Sequence, residues 1–418
     1  MRDLQITSKG IAARGRVHDR TSGRHSNFFL ENSQMKKTLA AVAVLGAFAG
    51  TAMAADVTLY GVIDEGLVYS HKKVDGVKTD KLSLDSGKLA GSRFGLKGTE
   101  DLGNGYKVGF ILENGYSADD GSFSKYGNGQ EQNRLFGREA SLFIDSDFGR
   151  LTMGRVGQLT SGNGSTGIAG AMHPFGTASW GLSQMYTVMV GGDRLDNTVT
   201  YATPAFAGMK VYAQASLKND SNVTYARDDV DTDGEALKDR KADEGKHTAD
   251  RYYALGATYK NYGLNLALVV DMYDYGHAWA DVDDGYTVTL GGSYDFEVVK
   301  AYLGAQYFND IQPTKKGFGV AENLGKIGQA KGYGITTGVD VPAFGGTFKV
   351  GALYGEAENV DNSDLKLKNY GANFGYVYPF SKRTSLYTAA GYLKTKLDAA
   401  KDSKTDAYQV TLGLSHKF

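Results

Sequence analysis

From Ala55 onward, apolar and polar residues alternate along the chain with a period of two. The last segment shows the pattern most clearly, because Tyr408, Val410, Leu412, Leu414 and Phe418 fall on one face. The intervening positions carry Gln409, Thr411, Gly413, Ser415 and Lys417. Such alternation predicts β-strands that have one apolar face and one polar face.

Sixteen segments of this kind follow one another, and most are about ten residues or longer, enough for a tilted strand to cross a bilayer. The predicted strands are 57–69, 91–100, 106–117, 134–145, 150–157, 194–203, 209–217, 250–260, 263–275, 285–296, 298–309, 332–341, 346–358, 368–379, 384–395 and 406–418.

The connections between these strands alternate between short and long. The short ones are 101–105, 146–149, 204–208, 261–262, 297, 342–346 and 380–383. The long, polar ones lie near 70–90, 118–133, 158–193, 218–249, 276–284, 310–331, 359–367 and 396–405. A β-sandwich has no reason to separate them in this way, whereas outer-membrane barrels have short periplasmic turns and long external loops. Because hydrocarbon offers no hydrogen-bond partner, every backbone N–H and C=O must pair within the sheet, and the sheet must therefore close into a barrel. We therefore predict an all-β fold, a 16-stranded antiparallel transmembrane β-barrel with an aqueous lumen.

Composition narrows the chemistry. The chain has 56 Gly and 27 Tyr, which suit tight turns and aromatic girdles, and it has no Cys. Disulfides, thiolate metal sites and a cysteine nucleophile are thereby excluded. The seven His show no ligand spacing and no nucleophile–base pattern, so we expect no enzyme, no cofactor and no metal site. Asp229, Asp231 and Asp233 resemble the start of a calcium loop, but Arg240 stands where a bidentate Glu is required.

The N-terminus carries processing information. Met35-Lys36-Lys37 is a basic segment, 38–50 is apolar, and Ala52-Met53-Ala54 is a cleavage motif. We therefore expect a signal peptide over 35–54, cleavage between Ala54 and Ala55, and a barrel domain over 55–418. Residues 1–34 are interpreted as a gene-start artefact or a disordered extension.

Removing residues 1–54 changes the charge balance. It takes away eight basic and three acidic residues and leaves 38 basic and 44 acidic ones, a formal net charge of −6. Such a chain has no general electrostatic footprint for nucleic acid.

Several motifs resemble the trimeric general-diffusion porins of Gram-negative outer membranes, in their β-proteobacterial branch. They are Asp56–Asp64 (DVTLYGVID), Ser92–Gly105 (SRFGLKGTEDLGNG), Arg150–Arg155 (RLTMGR), Asn197–Tyr201 (NTVTY) and Gly413–Phe418 (GLSHKF). The resemblance implies a homotrimer in outer-membrane lipid and lipopolysaccharide, with the third loop folded into each barrel. It also implies that Phe418 is the signal read by the barrel-assembly machinery.

The resemblance places the family's constriction arginines at Arg93, Arg138 and Arg194, and a lumen acid at Glu113. Strand alternation independently turns Glu113 and Asp64 inward, and it turns Lys97 inward nearer the periplasmic turn. The same alternation would send Arg155 outward. We expect Arg93, Arg138, Arg194, Glu113 and Asp64 to form the constriction.

The third loop, 158–193, has no Asp or Glu before Asp193, although family members commonly place acids there. His173 within it is interpreted as a hydrogen-bonded loop residue. A water-filled channel for small hydrophilic solutes and ions, weakly anion-selective, is therefore expected. A substrate-specific channel and an adhesin or structural anchor remain alternatives.

Overall fold

The computed structural model describes residues 57–123, 134–221, 243–276, 283–312, 327–399 and 402–418. Residues 1–34, the predicted signal peptide 35–54 and the calcium-loop-like stretch from Asp229 to Arg240 lie outside them. Among the described residues, no helix is long and apolar enough to cross a membrane. A 3₁₀ turn spans Met185–Thr187.

The described residues form one antiparallel sheet of 17 strands. The strands are β1 Thr58–Val74, β2 Val77–Ser86, β3 Arg93–Gly103, β4 Tyr106–Gly115, β5 Glu139–Ser146, β6 Gly149–Gly157, β7 Arg194–Ala202, β8 Met209–Ser216, β9 Arg251–Asn261, β10 Leu264–Asp274, β11 Gly285–Asp295, β12 Lys300–Ile311, β13 Ala330–Ala343, β14 Gly346–Asn359, β15 Lys366–Pro379, β16 Thr384–Asp398 and β17 Ser403–Lys417.

The sheet closes because β1 pairs with β17 on one side and with β3 on the other. Sixteen strands form the barrel, as the sequence predicts. Phe418 lies at the closure, where its backbone N–H donates to Gly61 O at 3.1 Å and its carbonyl accepts from Gly61 N at 3.0 Å.

The additional strand, β2, corrects one expectation. The sequence predicts a loop over 70–90, but β1 continues to Val74 and returns as β2, which pairs with its upper part. Asp75 and Gly76 connect the two strands with φ of 50° and 93°. An Asp-Gly pair with two positive φ values is a favoured two-residue hairpin turn, whose twist matches that of its strands.

The alternation of the strands separates the two surfaces of the wall. On β17, Val410, Leu412 and Leu414 are exposed, whereas Thr411 and Ser415 at the alternate positions are buried. Outward-facing aromatic residues form two belts, which are typical of barrels at both membrane surfaces. Toward the long loops the pairs are Tyr286–Tyr307, Tyr333–Tyr354 and Tyr392–Tyr408, and toward the short turns Tyr294–Phe296, Phe348–Phe374 and Tyr378–Phe380.

Candidate pore constriction

The connection between β6 and β7, residues 158–193, is the third loop, and it lies against the inner wall of the barrel. Asn369 on β15 donates a hydrogen bond from its side chain to Thr187 O at 3.0 Å. Gln306 on β12 donates to Val190 O at 2.9 Å. On β17, Gln409 donates to Ser179 O at 3.1 Å. Contacts to three separate strands hold the loop along the wall instead of above it.

Apolar side chains also pack in the contact between the third loop and the inner wall of the barrel. Met172, Met185 and Met189 of the loop are almost fully buried. The Trp180 ring lies 4.7 Å from Phe175 and meets Tyr387 of β16 edge-on at 5.8 Å. Burying large aromatic side chains in favourable geometry stabilises this position of the loop.

Inward-facing glycines make room for the loop. A Cβ on Gly334 would collide with the backbone carbonyl of Val188, and one on Gly391 with that of Gly181. On Gly375 it would come within 2.7 Å of the Trp180 ring. The loop backbone therefore approaches the strands closer than any other residue at these positions would permit.

Opposite this surface lies a cavity of about 640 Å³ that contains most of the predicted constriction residues. Its barrel-side charged residues are Arg93, Lys97, Glu113, Arg138, Glu139 and Arg194, and its loop-side polar residues are Asn163, Ser165, Thr177 and Ser179. Among the described residues that line this cavity, four cationic groups against two carboxylates give a formal net charge of +2. The loop side contributes hydroxyl and amide groups and no carboxylate.

Glu113 binds the cationic groups of this wall to one another. Its Oε1 accepts a hydrogen bond from Arg138 Nε at 2.5 Å and lies 3.9 Å from Arg93 Nη1. Its Oε2 accepts a hydrogen bond from the Tyr60 hydroxyl at 3.0 Å. One carboxylate thus holds Arg138 beside the lumen through a charge-assisted hydrogen bond and attracts Arg93 as an ion pair.

Glu139 also reaches the cavity, and sequence reasoning missed it. Its Oε2 accepts a hydrogen bond from Ser165 N at 2.9 Å, and its Oε1 accepts one from the Ser165 hydroxyl at 2.5 Å. The predicted strand 134–145 gives Arg138 and Glu139 opposite faces. The strand begins instead at Glu139, so Arg138 precedes the regular alternation and both side chains point inward.

Two of the predicted constriction residues, Arg194 and Asp64, have different surroundings from each other. Arg194 opens β7 and donates a hydrogen bond to Asn163 Oδ1 of the loop at 3.3 Å. Asp64 is fully buried and does not line the cavity. Its Oδ1 accepts hydrogen bonds from Leu89 N at 3.2 Å and the Tyr387 hydroxyl at 2.9 Å. The structure therefore brings Arg93, Arg138, Arg194 and Glu113 together, with Asp64 beneath the segment that follows β2.

Arg155 lies at a register shift between Gly154 and Val156. Its Nη1 donates to Asp196 Oδ1 at 2.5 Å and its Nε donates to Gly137 O at 2.8 Å. Arg134 donates to the same Asp196 oxygen at 2.7 Å. This ion network fixes the strands from which the third loop leaves and returns, and Arg155 does not line the cavity.

The described residues hold no cluster of three or more His, Asp and Glu side chains that could bind a metal. His173 follows the expectation of a loop residue, because its Nδ1 accepts a hydrogen bond from Phe175 N at 3.3 Å. Burial, together with the nearby charge of Lys349, lowers the pKa of His173 to about 4.

Known proteins resemble this chain over most of its length. The family model for Gram-negative porins matches residues 40–399. The chain belongs to the Gram-negative porin family. An outer membrane porin protein of Bordetella pertussis is 33% identical over 92% of this chain and 100% of the relative. Outer membrane porin protein 32 of Delftia acidovorans is 31% identical over 87% of this chain and 90% of its own length.

Solved structures show the same fold. The anion-selective porin from Comamonas acidovorans covers 87% of this chain and 100% of its own, with a TM-score of 0.56 and 24% identity. Membership of the porin family makes this protein an outer-membrane channel for passive diffusion of small hydrophilic solutes, and not an enzyme. It lies in the outer membrane of a Gram-negative bacterium.

Proposed function

We propose that this porin is a weakly anion-selective general-diffusion channel whose constriction lies between Arg93, Arg138 and Arg194 and the third loop. The observation that carries the proposal is the charge of the cavity wall, four cationic groups against two carboxylates, facing a loop side without a carboxylate. Charged side chains around the narrowest part of a pore determine which ions cross it.

The chain's net negative charge does not oppose this proposal. The sequence predicts that many acidic residues belong to the long connections, such as the stretch 228–235. Salt screens exposed charges over roughly 8–10 Å. Groups around a constriction are screened less because little water surrounds them there. The solved porin of Comamonas acidovorans, which is described as anion-selective, also supports a preference for anions.

Liposome swelling tests the channel and its alternatives together. We expect uncharged sugars to enter at rates that fall with their size, whatever their chemistry. A salt of a small organic anion with potassium should enter faster than a salt of an organic cation of equal size with chloride. Saturation by one sugar would indicate a substrate-specific channel, and absence of swelling would indicate an adhesin or structural anchor.

The proposal includes assembly and processing. We propose a homotrimer in lipid that contains lipopolysaccharide, with Phe418 as the signal for the barrel-assembly machinery. The ring of Phe418 is partly exposed at the closure of the barrel, where an external protein could reach it. Deletion of Phe418 should strongly lower the amount of heat-modifiable oligomer, and unchanged amounts would refute this role. The intact mass of the purified protein should correspond to a chain that begins at Ala55, because we propose cleavage between Ala54 and Ala55.

A further inference from the structure

Between β2 and β3 the chain leaves the barrel wall and bends into the lumen. The pairing of β1 with β2 ends at Glu65, and its pairing with β3 begins only at Val62. Residues 87–92 therefore lie opposite just Ile63 and Asp64 of β1. Extra residues on one side of a strand pair bulge out of the ladder and redirect the chain. We call residues 87–91 the inner bend.

Asp64 holds both ends and the middle of the inner bend. Its backbone carbonyl accepts hydrogen bonds from Gly87 N at 2.8 Å and from the Ser92 hydroxyl at 3.1 Å. Its N–H donates to Ser92 Oγ at 3.0 Å. Its Oδ1 accepts hydrogen bonds from Leu89 N and from the Tyr387 hydroxyl. Because leaving a buried donor or acceptor unpaired costs free energy, these contacts together fix the path of the bend.

The inner bend contacts both sides of the cavity. Leu89 packs against the buried cluster that contains Phe175 and Trp180 of the third loop. On the other side, a Cβ on Gly91 would come within 2.9 Å of Arg138 Nη1, so the guanidinium group lies directly against the backbone of the bend. The inner bend thus connects the tip of the third loop with the charged barrel side.

The bend also borders the cavity itself, which is lined by Gly87, Leu89, Ala90 and Gly91. We propose that the inner bend is a second constriction element beside the third loop, with Asp64 as its positioning residue. The bend closes the side of the pore between the loop tip and the arginines. This inference rests on the constriction proposed above, and it gives Asp64 a role although its side chain does not reach the cavity.

Cysteine labelling tests the position of the bend, because the chain has no Cys of its own. Ala90→Cys places a thiol on the bend, and Ser179→Cys places one on the loop side of the same cavity. We expect a neutral benzyl methanethiosulfonate to lower the single-channel conductance of both variants roughly 1.5-fold or more, since conduction depends on the narrowest section. Ala205→Cys, in an exposed short turn, should be labelled without a change in conductance.

The intact mass of each variant reports whether its thiol has reacted. A labelled Ala90→Cys channel with unchanged conductance, or an Ala90→Cys thiol that does not react, would overturn the proposal. A loss of conductance in Ala90→Cys without one in Ser179→Cys would support the inner bend and contradict the position of the third loop in the proposed constriction.

The role of Asp64 is tested by two substitutions of similar volume. Asp64→Asn keeps an oxygen that can accept the hydrogen bond from Leu89 N, and it should keep the open-channel current noise of the wild type. Asp64→Leu removes this acceptor and should raise the noise because the bend is no longer fixed. Equal noise in the wild type and Asp64→Leu would refute the positioning role.

A further variant keeps the test decisive where Asp64→Leu yields no folded oligomer. Leu89→Ala removes the side chain that packs beside Trp180 and leaves the barrel strands unchanged. It should raise the current noise in the same way. Noise equal to that of the wild type would show that the bend is not held against the third loop, and would overturn the proposal.

Discussion

From β3 to β7 the inner wall presents long charged side chains, whereas the part of β11–β17 that contacts the third loop presents several glycines and the amide side chains of Gln306, Asn369 and Gln409. On the first wall, Arg93 and Arg138 extend to the cavity and share Glu113. On the second wall, Gly334 and Gly391 let the backbone of the third loop lie against the strands. The charged wall faces the solute, and the glycine wall holds the loop that narrows the lumen.

This difference shows that the constriction has two separable causes. The width of the cavity depends on where the loop lies, and that position depends on residues without charge. The proposed electrostatic preference depends mainly on side chains that do not hold the loop. The exceptions are Glu139, which binds Ser165, and Arg194, which donates a hydrogen bond to Asn163. Substitutions on one wall should therefore change conductance, and substitutions on the other should change selectivity.

The largest effect is expected from filling the space under the loop. In Gly391→Val, the new side chain would collide with the backbone of Gly181, so the loop must move into the lumen or out of it. We expect single-channel conductance to change roughly twofold or more, since conduction depends on the narrowest section. Ala390→Val, on the exposed face of the same strand, should keep the wild-type conductance. Equal conductance of Gly391→Val and wild type would disprove the role of the glycine wall.

A smaller effect, on selectivity alone, is expected from Glu113→Gln. This change removes one of the two carboxylates that line the cavity among the described residues, so the anion-to-cation permeability ratio should rise roughly twofold. Glu100→Gln removes the same charge at the exposed short-turn end of β3 and should leave the ratio unchanged. A fall of the ratio in Glu113→Gln would show that Glu113 serves mainly to position the arginines.

The smallest effect is a dependence on pH through His173. Its pKa, lowered to about 4 from the ordinary value of 6.5, means that the position of the loop favours the neutral ring. The stability of this position should fall as the pH drops below about 6.5, and the loss should level off near pH 4. Open-channel current noise should rise over that interval in the wild type and remain flat in His173→Asn. His416→Asn, at the short-turn end, should behave as the wild type, and identical noise in all three proteins would exclude this contribution.

Strand alternation was sufficient to predict the sixteen barrel strands and the inward direction of Glu113, whereas Arg93 was placed by the resemblance of its motif. It could not predict β2, because the Asp75-Gly76 hairpin signal lies within a polar segment that also fits a loop. It missed Glu139, because a strand that ran through Arg138 would place these two neighbours on opposite faces, whereas β5 begins only at Glu139. The glycine wall was also missed, because nothing local to Gly334 or Gly391 reveals which distant backbone lies against it.

The most direct test of whether the charged wall determines ion selectivity is the reversal potential across a planar bilayer in a KCl gradient. We expect the wild type to prefer chloride, and Arg93→Gln with Arg138→Gln to shift the reversal potential toward zero or to the cation-selective side. Lys382→Gln with Arg383→Gln removes the same two charges at the short-turn end and should keep the wild-type value. A cation-selective wild type, or an unchanged reversal potential in Arg93→Gln with Arg138→Gln, would contradict the proposed mechanism.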